Sequence, residues 1–261
     1  MDVFLRLVIN VLEEGLIYGI MAVGVYITYR VLHFPDLSVD GTFPLGACVT
    51  AALIAAGVHP VAALACAFVC GCAAGAVTGF LHVKLGITDL LSGILVMTGL
   101  WSVNLVVLGG RSVLPFYNSP TVFNSGLAAC LPEALYPRRV LIILLGIVLV
   151  VIILVDLYYK TQSGLLLRAA GDNSQFVTSL GISPGGMKML GLMLGNGLAA
   201  LSGSVLAQQA ESANVSSGTG MVVMGLASVI IGTSLFRGLR FVRPTTMVLF
   251  GSIAYKACLV A

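Results

Sequence analysis

The chain has 261 residues, 59% of them hydrophobic and only 9% charged, against roughly 25% charged in a soluble domain. A mean hydropathy of +1.08 holds along the whole length. That excludes a soluble domain with one anchor and leaves room for several spans of about 20 apolar residues each. The net charge of +3 makes no nucleic-acid patch, because the basic residues sit mostly at the ends of apolar runs.

The runs are continuous, as from Val140 to Val155, where no charge occurs. A membrane barrel would alternate apolar and polar residues over roughly 10-residue strands. The expected fold is therefore all-α, a polytopic transmembrane helical bundle of about eight spans forming a single permease-like domain over residues 1–261. The 31 glycines suit closely packed membrane helices. Five of the six cysteines, Cys48, Cys66, Cys70, Cys72 and Cys258, lie in apolar runs and read as small hydrophobes, with Cys130 in a loop. No spacing suggests a metal site.

In chain order, a short interfacial turn is expected near Val3 to Asn10, then a first span from Val11 to Tyr29. Met1-Asp2, with Glu13-Glu14 interrupting the apolar run, does not read as a signal peptide. The second span, Phe43 to Ala56, is entered through His33-Phe34-Pro35-Asp36. The third covers Val61 to Val83 and the fourth Ile87 to Leu108. A loop with Arg111, Pro115, Pro120, Pro132 and Pro137 follows, then a fifth span from Val140 to Tyr159. After the polar stretch Lys160 to Pro184 come spans at Met187 to Ala207, Met221 to Phe236 and Thr245 to Val260.

Grouping alternate loops places Arg30, Lys84, Lys160, Arg168, Arg237, Arg240 and Arg243 on one side. Arg6, Arg111, Arg138 and Arg139 fall on the other. The positive-inside rule makes the first side cytoplasmic and the N-terminus external.

Two segments read as broken helices. Pro35 to Pro44 sets two prolines and two carboxylates at a helix entry, and Glu211 to Gly220 is polar and rich in Ser and Gly. Each carries a Gly-Thr pair ahead of a span, Gly41-Thr42 and Gly218-Thr219. Transporters often place interrupted helices of an internal repeat at the solute site, and a weak repeat is possible here. Polar residues inside a membrane are expensive and often functional. Asp36, Ser38, Asp40, Thr42, Phe43, Asn104 and Asn196 are therefore candidates for a solute pathway or gate. Interhelical hydrogen bonding is the plainer reading of the two asparagines, and packing that of Trp101.

The stretch from Lys160 to Gly186 is polar and punctuated by glycine, with Leu165-Leu166-Leu167 expected against lipid or protein. Arg168, Asp172, Asn173 and Gln175 are expected to face water. Such a segment suits a groove on a partner protein, or an ordinary interfacial loop.

Arg168-Ala169, Gly171, Asn173, Gly181-Ile182 and Ala199-Ala200-Leu201-Ser202-Gly203 carry a resemblance. The region resembles the cytoplasmic coupling loop, and the helix after it, in the branched-chain amino acid and ribose permease family of ATP-binding-cassette importers. Gln175-Phe176 departs from the family, which often has two alanines there. Glu14 to Tyr26 resembles the family's opening helix. Phe34 to Thr42 resembles a subgroup of tryptophan and tyrosine transport permeases.

The resemblance implies a permease subunit of the bacterial inner membrane, working as a dimer with a second permease subunit. It also implies two cytoplasmic ATPase subunits and an extracytoplasmic substrate-binding protein. It places ATPase coupling at Arg168, Gly171, Asp172, Asn173, Phe176, Leu180, Gly181 and Ile182, and suggests a small polar solute such as an aromatic amino acid. No phosphate-binding G-x-x-x-x-G-K-S/T loop occurs in the chain. No cofactor is therefore expected here, and ATP and magnesium belong to the partner. An ion-coupled secondary transporter using Asp36 and Asp40 is the rival reading. An intramembrane enzyme finds no H-E-x-x-H or G-x-S-x-G motif, and His33, His59 and His82 are scattered singly.

Overall fold

Apolar side chains all around a helix leave shape, not polarity, to decide how helices pack in a membrane. The computed structural model, which describes residues 2–117, 119–125, 138–236 and 243–260, is built on that rule. Helix α1 runs Asp2–Val25 and continues as a π-helical stretch, Tyr26–Val31. The remaining helices are α2 Val39–Ala55, α3 Pro60–Val83, α4 Asp89–Val107 and α5 Arg139–Lys160, then α6 Gln162–Asp172, α7 Ser174–Ser179, α8 Pro184–Ala210, α9 Met221–Leu235 and α10 Pro244–Val260. One small departure from an all-α fold is the antiparallel pair β1 Val113–Pro115 and β2 Ser212–Asn214. Among the described residues six stretches are long and apolar enough to cross a membrane, and α2 and α10 are shorter apolar helices. The separate interfacial turn expected at Val3 to Asn10 is absent, because α1 continues through it.

Helix α8 is the centre of the bundle. At 27 residues it is about 40 Å long, more than the roughly 30 Å of a hydrocarbon core. It packs most extensively on α3, then on α2 and α1. Gly71, Gly75 and Gly79 form one stripe of α3, and α8 runs antiparallel along it. A Cβ at Gly75 would collide with the carbonyl oxygen of Leu192, and one at Gly71 with Asn196 and Ala200. On α2, a Cβ at Gly46 would collide with the Ala200 backbone. The close approach is thus backbone on backbone. Buried hydroxyls add bonds: Ser202 Oγ donates to Ile17 O at 2.7 Å, and Ser252 Oγ to Gly15 O at 2.8 Å.

The chain directions mirror each other in two arms. α1 runs antiparallel to α8, with Gly24 against Gly195 and Leu32 against Gly191. The first arm passes from α1 through a non-helical linker to α2 and α3. The second passes from α8 through a linker holding β2 and a 3-10 turn, Val215–Gly218, to α9 and α10, each helix reversed in direction. α3 lies on α8 as α10 lies on α1. The repeat that two Gly-Thr pairs hinted at is thus visible in the packing.

The C-terminal ends of α1, α3 and α5 gather at one end of the bundle, with α6 and α7. There Arg243 donates to Asp156 at 2.6 Å and Thr245 Oγ1 donates to it at 2.8 Å, fastening α10 to α5. Arg30, Lys84, Lys160, Arg168, Lys188 and Arg243 belong to this end. Arg237 and Arg240 lie outside the described residues, as does Cys130. At the opposite end Gln208 bridges Val122 N and Pro60 O, and Glu14 pairs with Lys256. Cys48 is buried as expected, whereas Cys66 and Cys258 lie on exposed helix faces.

The glycine stripe generates a test. Gly75→Val should cost about 1–3 kcal/mol, the usual penalty of overpacking, because only backbone faces it. Gly146→Ala, where nothing lies within 4 Å, should be neutral. Thermal melting of the detergent-solubilised protein compares the two, and equal melting temperatures would show that α3 and α8 tolerate separation.

Candidate functional site

Two helices of the bundle begin in its interior. After the π-helical stretch, Leu32 N donates to Ile27 O and Phe34 N to Thr28 O. His33, at φ 55°, turns the chain back on itself. Residues 32–38 then run beside α8 without helical bonds until α2 starts at Val39. Irregular backbone at membrane depth survives only where it is buried in protein or lines a cavity. Here Leu32, Phe34, Asp36 and Ser38 are all buried.

Four polar side chains meet at the break, and Asp36 takes up one of its freed backbone donors, Ser38 N. Asp36 Oδ1 accepts from Ser38 N at 2.9 Å and from Ser38 Oγ at 2.6 Å. Asn196 Nδ2 donates to Asp36 Oδ2 at 2.7 Å. Asn196 Oδ1 accepts from Ser38 Oγ at 3.0 Å and from Thr42 Oγ1 at 2.7 Å. Asn196 lies twelve residues into α8, about 18 Å along its axis. The cluster is therefore deep in the bundle and ties α8 to the entry of α2. Four of the seven pathway candidates meet here, Asp36, Ser38, Thr42 and Asn196.

Asp40, in the first turn of α2, serves the second break. Its carboxylate accepts from Gly220 N at 3.2 Å and Val222 N at 2.7 Å. A carboxylate at a helix N-terminus meets both free donors and the positive end of the macrodipole. Gly218 and Thr219 close the turn before α9, and a Cβ at Gly218 would collide with the carbonyl of Asp40. That carbonyl has no helical donor, since Pro44 lacks an N–H. Pro44 therefore sits inside α2, and the break expected at Pro35 to Pro44 ends at Ser38. The expected start at Phe43 is corrected to Val39: the first turn of α2 is polar, so the apolar run begins after the helix does.

Asn104 of α4 donates to Gly41 O at 3.2 Å, and its Oδ1 is buried with no partner among the described residues. Asp40, Gly41, Pro44, Met97, Thr98, Trp101, Asn104 and Thr219 line a cavity of about 220 Å³ between α2, α4 and the turn before α9. Trp101 is half exposed at its wall. Phe43 differs from the other candidates. It is fully buried and stacks on Tyr18 with ring centroids 6.2 Å apart, as core packing.

The polar segment after α5 folds into α6 and α7. Asn173 caps α7, its Oδ1 accepting from Gln175 N and Phe176 N. Asp172, Asn173, Phe176, Leu180 and Gly181 are exposed, and Ile182 is half buried. Phe176 and Leu180 stand one turn apart as an apolar ridge, each 54% exposed. Val177, which composition did not single out, is the buried anchor beneath them. The leucine run divides: Leu167 is buried and Leu165 exposed, because successive helical residues point 100° apart. Arg168 is exposed but lies 4.2 Å over the Tyr159 ring. A Cβ at Gly171 would collide with Val31 O, so α6 rests directly on the end of the π-helical stretch. Gly181 adopts φ 76°, a conformation cheap only for glycine.

This architecture is matched by kin. Residues 7–256 match the family described as the branched-chain amino acid transport system permease component. The tyrosine transport system permease protein of Clostridioides difficile (strain R20291) is 44% identical, over 95% of this chain and 80% of its own. An uncharacterised protein of Rickettsia prowazekii is 36% identical over 89% of this chain and 79% of its own. The ribose import permease protein RbsC of Escherichia coli (strain K12) is 27% identical over 88% and 70%. The chain belongs to the branched-chain amino acid permease family of ATP-binding-cassette transporters. It is a multi-pass inner-membrane permease.

The buried cluster can be tested by exchange. Asn196→Asp sets a second carboxyl group against Asp36 and removes its donor, at a cost of about 1–3 kcal/mol for the lost partner alone. Adding Asp36→Asn restores one amide and one carboxyl across the gap and should recover most of the melting temperature. If the double variant melts no higher than Asn196→Asp, the two residues are not coupled.

Proposed function

We propose that this chain forms the solute pathway of an importer driven by separate ATPase subunits and supplied by an extracytoplasmic binding protein. Two permease subunits, most simply two copies of this chain, would enclose the pathway. The basic end of the bundle is cytoplasmic in this reading. ATP and magnesium are held by the partner ATPases. The solute is a small polar molecule, and the tyrosine-transport relative favours an aromatic amino acid.

The observation that carries the reading is the contact of α6, which leads into the exposed ridge of α7, with the end of the broken helix. Phe176 and Leu180 offer a partner groove two apolar anchors, as docking helices do. Asn173 fixes the start of α7, and Arg168, Asp172 and Asn173 set its register from the polar side. Behind the ridge, Gly171 abuts Val31 and Leu167 lies against the Gly191 position beside Leu32. Movement of α6 and α7 would therefore press on the segment that leads to Asp36. Asp36, Ser38, Thr42 and Asn196 hold that segment, while Asp40 and Asn104 border the cavity.

The test is reconstitution in vesicles with the partner ATPase and binding protein. Phe176→Ala and Gly181→Val should lower ATP-dependent uptake at least about fivefold, the lower range of a typical coupling effect. They should also blunt stimulation of ATP hydrolysis by loaded binding protein, without weakening docking of that protein. Uptake that needs an ion gradient and no ATPase would replace this reading with ion-coupled secondary transport.

A further inference from the structure

The cavity beside Asp40 has a chemical sign. Asp40 contributes a carboxylate, and Asn104 contributes an oxygen that is buried and has no partner. Thr98 and Thr219 spend their hydroxyl protons on backbone carbonyls, Thr98 on Ile94 and Leu95 and Thr219 on Ser216, so toward the cavity both can only accept. Among the described residues no Lys, Arg or His lines it. The polar wall thus carries the negative charge of Asp40 and several acceptors, with the Trp101 N–H and the second Asn104 amide hydrogen as donors beside them.

A buried acceptor left unpaired costs about 1–3 kcal/mol, which a donor entering the cavity would remove. The Asp40 carboxylate already takes backbone N–H groups of Gly220, Met221 and Val222, yet ionised it has about four acceptor sites. Capacity for one further donor remains. The half-exposed Trp101 lines the cavity, and the face of an indole attracts a cation within about 6 Å. Met97 completes an apolar side.

We propose that this cavity binds the ammonium group of the solute, with the solute's apolar or aromatic body against Trp101 and Met97. The inference rests on the permease reading above and narrows its solute to primary amines. A carboxylate on the solute is repelled by the Asp40 carboxylate and stays toward the aqueous pathway. An anionic solute lacking the amine is excluded by the same wall. Asn104 is then a specificity residue, and its Nδ2 bond to Gly41 O holds the oxygen in place.

Trp101 is the single tryptophan of the chain and serves as the reporter. The full-length protein in detergent is excited at a wavelength that spares tyrosine and titrated with L-tyrosine, tyramine and 3-(4-hydroxyphenyl)propionate. The two amines should shift Trp101 emission saturably and the deaminated acid should not. Asn104→Leu should weaken the amine response about tenfold or more. Thr98→Phe, a change on the exposed side of the cavity, should abolish the response with no change in melting temperature. It keeps the test decisive should Asn104→Leu fail to fold. An equal response to the deaminated acid, or none to either amine, overturns the proposal. So does a response untouched by Thr98→Phe. The titration needs no ATPase, so the two readings fail separately. ATP-driven uptake of tyrosine with no saturable signal removes the cavity and leaves the permease. A saturable, amine-selective signal without ATP-driven uptake supports the cavity while removing the ATP-driven reading.

Discussion

Interrupting a helix inside an apolar bundle frees backbone groups where no water meets them, each at a cost of several kcal/mol. The fold is arranged around that constraint. Asp36, Ser38, Thr42 and Asn196 close one interruption, and Asp40 closes the other from the opposite arm. The two solutions differ. The first is a side-chain network that replaces missing helical bonds along a turn of chain. The second is a single carboxylate laid across the start of α9. Both depend on the first turn of α2, which contributes Thr42 to one and Asp40 to the other. That turn is polar for this reason, and it is the place where the two arms of the bundle meet.

Networks of this kind need backbone positions fixed to a fraction of an ångström, since a hydrogen bond at 2.7 Å weakens quickly as it lengthens. The glycines supply the rigidity. With Gly46, Gly71 and Gly75 in contact with the α8 backbone, α2 and α3 have no side-chain cushion on which to slide. Asn196 is held within the same contact surface, one turn from Ala200 and Leu192. Close packing by small residues and polar closure of the break are therefore one design, because loosening either leaves a buried carboxyl group without its partners.

Most of the bundle was legible because apolar run length and charge position are local properties. The spans from Val61 to Val83 and from Val140 to Tyr159 lie within one residue of α3 and α5 at each end. The break at Pro35 was legible from proline chemistry. What binds it was not. Asp36 and Asn196 are 160 positions apart, and no periodicity pairs them. The unpaired oxygen of Asn104 is equally invisible, since sequence places an amide in an apolar helix without saying which of its groups is satisfied. Phe43 looked like a pathway residue only because its neighbours are polar, while in three dimensions it belongs to the aromatic core with Tyr18. Leu165 and Leu167 show the reverse case, in which a run that looks uniform is divided by helical rotation.

The route from surface to break also explains the π-helical stretch. Widening the helix by one residue per turn at Tyr26–Val31 changes which carbonyls face outward, and π-bulges are frequent at functional sites. Val31 O meets Gly171 of α6, and Thr28 O receives Phe34 N from the returning chain. The same short segment therefore touches the exterior module on one side and the unwound linker on the other. A regular α-helix carried through to Leu32 would rotate these carbonyls away and separate the two contacts. In the proposed transport cycle, a shift of α6 reaches Asp36 through a few backbone contacts and no long chain of side chains. Packed backbone is hard to compress, so displacement there is passed on to the polar cluster, whose bonds are the part of the site able to exchange partners.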